Sequence, residues 1–243
     1  MKKLLLATLV VIILTILQTP SIAATYSQRL CKSDAKLHCI TIKKNDSWAS
    51  LWPDPIERDL IQRFNRTNTS LYSGMRIAVP NNLKSMTLLD LAPFESNIGH
   101  QDRKTIIVDI NDLAWGAYDV DGQLINWGPV SAGKPYCKDV GRDCTTPSGT
   151  YFIYRKGGQK CISKKFPVGK GGAPMPYCMF FHGVFALHGS PAVPGYNASH
   201  GCVRIFTEDA RWLNQDFINL SNDFQLFYKE FHMKCNMNCT KPL

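Results

Sequence analysis

The 17 residues from His188 to Arg204 gather one thiol, two imidazoles and three glycines. They read His188-Gly189-Ser190-Pro191, then Gly195, then Ser199-His200-Gly201-Cys202-Val203-Arg204. A cysteine attacks through its thiolate, so it needs a nearby base or cation, and an imidazole can later return the proton to a leaving amine. Gly201 lets the backbone turn sharply before Cys202, so that neighbouring N–H groups can converge as an oxyanion hole requires. Residue types alone leave both histidines open as the partner of Cys202. His200 leaves the same face as Cys202 on an extended segment. His188 ends an apolar strand, Val184 to Leu187, and the next carbonyl, at Gly189, is placed to receive its Nδ1 proton and fix its tautomer. His182, six residues earlier, shares the face of His188 if one regular strand carries both, which makes it a further candidate for the pocket. His38, His100 and His232 carry no motif.

Short β runs must position these groups. Thr105 to Ile110 is β-branched, and Leu113 to Val130 is broken at Asp121-Gly122, a hairpin signal. Tyr151 to Tyr154 and Val184 to Leu187 are further short strands. Glu208 to Phe217 is expected to be helical, with Thr207 as its cap and Ala210, Leu213 and Phe217 on one stripe. The pattern predicts an all-β or β-rich domain over residues 104–230.

The run Ser199-His200-Gly201-Cys202-Val203-Arg204, preceded by His188-Gly189, resembles the signature of the L,D-transpeptidase (YkuD-type) catalytic domain. The likeness extends upstream through the strands from Ile106, the Asp121-Gly122 hairpin, Gly133, Thr146-Pro147-Ser148-Gly149-Thr150 and Gly171-Gly172-Ala173-Pro174-Met175-Pro176-Tyr177. It implies a mainly β fold, a β-sandwich with a short helix. It also implies Cys202 as nucleophile, His188 as general base and acid, the Gly189 carbonyl orienting His188, and Gly201 with Cys202 at the oxyanion hole. His200, Arg204 and Ser199, with His182 beside them, are the expected substrate-binding residues. The 14-residue separation of His188 from Cys202 is short for the family. The implied reaction cuts a peptidoglycan tetrapeptide stem before its terminal D-Ala and passes the acyl group to an amine, making a 3→3 cross-link or anchoring an envelope protein. No cofactor and no metal are implied. Water as acceptor gives a hydrolase, and a non-catalytic, disulfide-stapled peptidoglycan-binding protein is the alternative from another class.

The amino terminus points to export. Lys2 and Lys3 precede an apolar run from Leu4 to Leu17, Pro20 breaks it, and Ser21-Ile22-Ala23 supplies small residues for cleavage. Residues 1–23 therefore read as a signal peptide, the run being shorter than the roughly 20 residues of a bilayer span. The expected location is the periplasm or cell wall. Losing both lysines lowers the formal charge from +9 to +7, spread along the chain. Export and the lack of a basic stripe argue against nucleic acid as partner. All nine cysteines follow the apolar run, and an oxidising compartment pairs most of them. Closeness in sequence suggests Cys31–Cys39, Cys137–Cys144, Cys161–Cys178 and Cys235–Cys239, leaving Cys202 as the odd thiol. No pair has the CxxC spacing usual in zinc sites.

Residues 39–80 form a separate pattern. Ile40 to Ile42 suits a strand, Asn45-Asp46-Ser47 a turn and cap, and Trp48 a first helix. Pro55 opens a second helix with a buried stripe of Ile56, Leu60, Ile61 and Phe64, and Met75 to Val79 is a closing strand ended by Pro80. This order resembles a LysM module, a small α/β unit that binds N-acetylglucosamine-containing glycan strands. The family usually has Gly-Asp-Thr where this chain has Asn45-Asp46-Ser47. Residues 81–103 read as a linker, and 231–243 as a cysteine-containing tail.

Overall fold

The computed structural model describes residues 24–33, 37–164 and 172–219, and the backbone of 224–229. The signal peptide, Gly171, His232, the Cys235–Cys239 pair and the tail 231–243 lie outside the described residues.

Alternating strands fold into two sheets with one core between them. β3 (Lys104–Asp109), β4 (Ala114–Tyr118), β5 (Leu124–Pro129), β6 (Gly149–Tyr151) and β11 (Phe224–Lys229) make a five-stranded sheet in the order β5-β4-β3-β11-β6. β11 runs parallel to β3, and the other pairings are antiparallel. β7 (Arg155–Lys156), β8 (Met179–His182), β9 (Phe185–Gly189) and β10 (Val203–Ile205) make a second sheet in the order β10-β9-β8-β7. Ile106, Val108, Trp115 and Ala117 of the first sheet meet Met179, Phe181, Leu187, Val203 and Ile205 of the second. The mainly β expectation holds, and the Asp121-Gly122 turn lies between β4 and β5 as read, with Gly122 at φ +76°.

The expected helix starts at Thr207, running to Trp212 and continuing as a π-helical stretch, Leu213–Phe217. Its cap differs from expectation. Phe206 is the N-cap residue and no side chain caps the turn, so Thr207 is the first helical residue instead. Asp209, buried at 3 % exposure, is held there by a partner from the amino-terminal unit.

That unit contains helix α1 (Tyr26–Ser33), β1 (Leu37–Thr41), α2 (Trp48–Leu51), α3 (Pro55–Phe64) and β2 (Arg76–Pro80), with β1 antiparallel to β2. Ser47 closes a capping box with Ser50, and Asp54 caps α3 with Pro55 in the first turn. The strand–helix–helix–strand order agrees with the sequence. The buried stripe is Leu60, Ile61 and Phe64, while Ile56 is 72 % exposed because it lies in the first turn, outside that stripe.

Residues 81–103 do not behave as a free tether. Leu83 and Leu91 are buried in a cluster that joins Ile61, Phe64 and Ile77 of the unit to Ala114 and Trp127 of the five-stranded sheet. Backbone bonds from Ile98 to Gly122 (2.9 Å) and from Gln101 to Val120 (2.8 Å) fix the segment along the β4–β5 hairpin. A segment rich in polar residues reads as a linker, but here its leucines carry the packing. Across the same boundary Arg63 donates to both Asp209 oxygens (3.0 and 2.7 Å) and to the Trp127 carbonyl (3.0 Å).

Candidate active site

β9 and β10 are parallel neighbours, with Val203 opposite Leu187 and Arg204 opposite His188. Side chains alternate along each strand. Leu187, Val203 and Ile205 therefore enter the core, while Ala186 and His188 turn to the other face, and Cys202 and Arg204 with them. His188, Cys202, Arg204, His200 and Ser199 all line one cleft of about 530 Å³.

His188 is 6 % exposed, and its Nδ1–H donates to the Gly189 carbonyl at 2.9 Å. That bond leaves Nε2 as the basic nitrogen. Burial pushes the imidazole down to about 4, the Gly189 bond opposing and the Arg204 charge assisting, so the ring is neutral near pH 7. Burial also pushes the Cys202 thiol up, against a backbone hydrogen bond at Ala186 and the nearby Arg204 charge. The Cys202 S–H is aimed at the Val184 carbonyl, 3.9 Å away. The resting pair is accordingly a neutral thiol and a neutral base.

The approach to Cys202 depends on Gly201, whose φ of +120° is unfavourable for other residues. A Cβ there would lie 2.2 Å from the Phe185 ring. The Gly201 N–H donates to Ser199 Oγ at 3.0 Å, so the expected oxyanion donor is already engaged in this state. Ser199 Oγ in turn donates to the Cys202 carbonyl. Ser199 thus lines the cleft, but its hydroxyl is committed to bracing the turn. Thr146 completes the brace, accepting from Gly133 N–H (2.9 Å) and donating to the Gly201 carbonyl (2.8 Å).

His200 and His188 are handled differently. His200 Nε2 meets Asp139 Oδ2 at 2.6 Å, with Lys134 Nζ 4.0 Å from the other oxygen. The hydrogen bond with His200 holds the Asp139 carboxyl below the usual carboxylate range. His182 lies outside the cleft lining. The chain reverses at Gly183 (φ +52°), so His182 and His188 occupy different strands, and the His182 ring stacks on Phe185 at 6.0 Å and contacts Tyr151 at 5.0 Å. The premise that one regular strand carries both histidines fails at that turn.

Disulfides join Cys31 to Cys39, Cys137 to Cys144 and Cys161 to Cys178, and Cys202 is the one free cysteine among the described residues. Cys137, Asp139 and His200 form a compact group, but a disulfide-bonded sulfur offers no thiolate to a metal. Neither Asp139 nor Thr146 is assigned a role by reading the sequence. Asp139 carries no motif, and Thr146 stood inside a stretch of family likeness with nothing to say what its hydroxyl does.

Comparisons with known proteins point to one kind of enzyme domain. Residues 103–216 match the family model described as the YkuD L,D-transpeptidase catalytic domain. The curated Bacillus subtilis (strain 168) protein named "Putative L,D-transpeptidase YciB" is 27 % identical over 127 residues, covering 47 % of this chain and 62 % of YciB, under two thirds of that relative's length. The crystal structure of the L,D-transpeptidase (residues 123-326) from Xylanimonas cellulosilytica DSM 15894 superposes with a TM-score of 0.50 at 23 % identity, covering 70 % of this chain and 78 % of that one. By that match residues 103–216, 114 of the 243 residues, are similar to YkuD L,D-transpeptidase catalytic domains.

Proposed function

We propose that the protein is an exported cysteine acyltransferase acting on peptidoglycan tetrapeptide stems. The observation that carries this is the His188 Nδ1–H bond to Gly189, which frees Nε2 as a base in the cleft that holds the unpaired Cys202. Cys202 Sγ attacks the carbonyl joining the third stem residue to D-Ala, and His188 Nε2 takes the thiol proton. The C–N bond breaks, His188 returns the proton to the D-Ala amine, and a thioester remains. An acceptor amine from a second stem or an envelope protein then attacks, losing its proton to His188 and restoring the thiol. The Cys202 N–H is our assigned oxyanion donor, joined by the Gly201 N–H once substrate displaces Ser199 Oγ. Arg204 receives a substrate carboxylate, and His200, held by Asp139, forms the pocket wall. The chemistry needs no cofactor.

The disulfides and the family both support an extracytoplasmic location, periplasm or cell wall, reached by way of the 1–23 signal peptide. The strand–helix–helix–strand order of 39–80 supports the LysM-like, glycan-contacting reading. The test is mass spectrometry of muropeptides after incubation of the purified protein with tetrapeptide-containing sacculi. New 3→3 cross-linked dimers and free D-Ala are expected. Sacculi left unchanged by the wild type, or changed equally by Cys202→Ala, overturn the proposal.

A further inference from the structure

One wall of the cleft is a strap, Ser190 to Val193, held on two sides. On its inner side the Ser190 N–H donates to the Ile205 carbonyl of β10 at 2.8 Å, and Arg204 Nη1 reaches the Ala192 carbonyl at 3.4 Å. On its outer side the holder comes from the amino-terminal unit, from the loop that follows α3. Asn68 Nδ2 donates to the Ser190 carbonyl at 2.9 Å, and its Oδ1 accepts from the Val193 N–H at 2.9 Å. The Asn68 N–H donates to the Val193 carbonyl at 3.1 Å, and Thr67 bridges to Pro194 beside it.

An amide side chain suits this position because it offers a donor and an acceptor at once, which a carboxylate does not. Val193 is fully buried, so water does not readily replace the bond to its N–H. The Ala192 carbonyl that Arg204 meets lies between the two strap groups that Asn68 grips.

We propose that Asn68, outside the catalytic domain, is a positioning residue of the cleft: its grip on Ser190 and Val193 sets the strap that holds Arg204 where a carboxylate-bearing substrate is received. This rests on the reading of Arg204 as the carboxylate partner. It gives the amino-terminal unit a part in substrate selection separate from any contact with glycan.

The experiment compares alkylation of Cys202 in the full-length protein by iodoacetate and by iodoacetamide, which differ chiefly in the carboxylate. A placed Arg204 favours the anion. Asn68→Ala is expected to lower the iodoacetate-to-iodoacetamide rate ratio about two- to five-fold, the range for a partly exposed ion pair, while the iodoacetamide rate stays within about two-fold. Arg204→Ala gives the same low ratio, and the double variant is no lower than Arg204→Ala alone. Asn68→Ser serves the same comparison if Asn68→Ala does not fold. An unchanged ratio in either single variant, an equal loss with both reagents, or an additive double variant overturns the proposal. Alkylation needs no turnover, so failure of the transpeptidase reading shows separately, as sacculi left unchanged.

Discussion

At the residue scale the proposed chemistry turns on what His188 and Cys202 are before substrate arrives. Burial keeps the imidazole unprotonated above about pH 4 and raises the thiol, so no resting ion pair forms. Iodoacetamide labelling of Cys202 should therefore climb with pH through the upper thiol range. A plateau already reached by pH 6 would show a thiolate–imidazolium pair and refute the neutral resting state. Gly201 is the second fixed point. Gly201→Ala forces a Cβ against Phe185 at a positive φ, with an expected loss of about 1–3 kcal/mol and slowed acylation, read by melting and by intact mass. That His188 and Cys202 line one cleft could be anticipated because one short segment carries them both. His182 was misplaced because its position depends on a turn at Gly183 that alternation alone does not reveal.

Among the elements, β9 and β10 do the positioning, and the loop between them does the shaping. The strand pattern from Thr105 to Val130 could be read because β-branched and aromatic residues cluster on both sides of a good turn dipeptide, Asp121-Gly122. The brace under Cys202 could not, since Thr146 reaches Gly201 across 55 residues of sequence. Thr146→Val removes the hydroxyl but keeps the volume, leaving the Gly133 N–H and Gly201 carbonyl without a partner. The cost should be about 1–3 kcal/mol in denaturant unfolding, with slower acylation of Cys202. Unchanged stability and rate would make the brace dispensable. Thr207 shows a smaller failure of the same kind, as a good capping residue taken one position into the helix it was expected to cap.

For the whole molecule, the boundary between the amino-terminal unit and the catalytic domain is an interior rather than a hinge. Deleting 39–80 on the expectation of independent modules would expose Trp127 and strip Asp209 of Arg63, so the remainder should lose its fold as well as any glycan contact. Burial pushes the Asp209 carboxyl up and the Arg63 charge pulls it back. Arg63→Ala leaves a buried, unpaired carboxylate and should destabilise by about 3–5 kcal/mol. A loss under about 1 kcal/mol would mean the unit is only tethered. Acid should act on the whole fold through His188. Its folded value, about 4, lies below the ordinary 6.5, so the unfolded chain binds more protons between those limits. This contribution to stability is complete above about pH 6.5 and falls by roughly 3 kcal/mol as pH drops to about 4. His188→Ala should flatten that slope in pH-dependent melting. The union of the two parts was hidden in the sequence because residues 81–103 are mostly polar and the decisive contacts are pairs distant along the chain.

We propose that Cys202 is acylated with His188 as its base, His200 being only pocket wall. The most direct measurement is intact-mass detection of a covalent acyl adduct, using a carbapenem as a slow-turnover acylating agent, on the wild type and three variants. The wild type should gain one adduct that maps to Cys202, and Cys202→Ala none. His188→Ala should be slower by about 10² to 10⁴, the usual worth of a positioned base, and His200→Ala clearly less impaired. Acylation abolished by His200→Ala while His188→Ala stays near wild type would contradict the account.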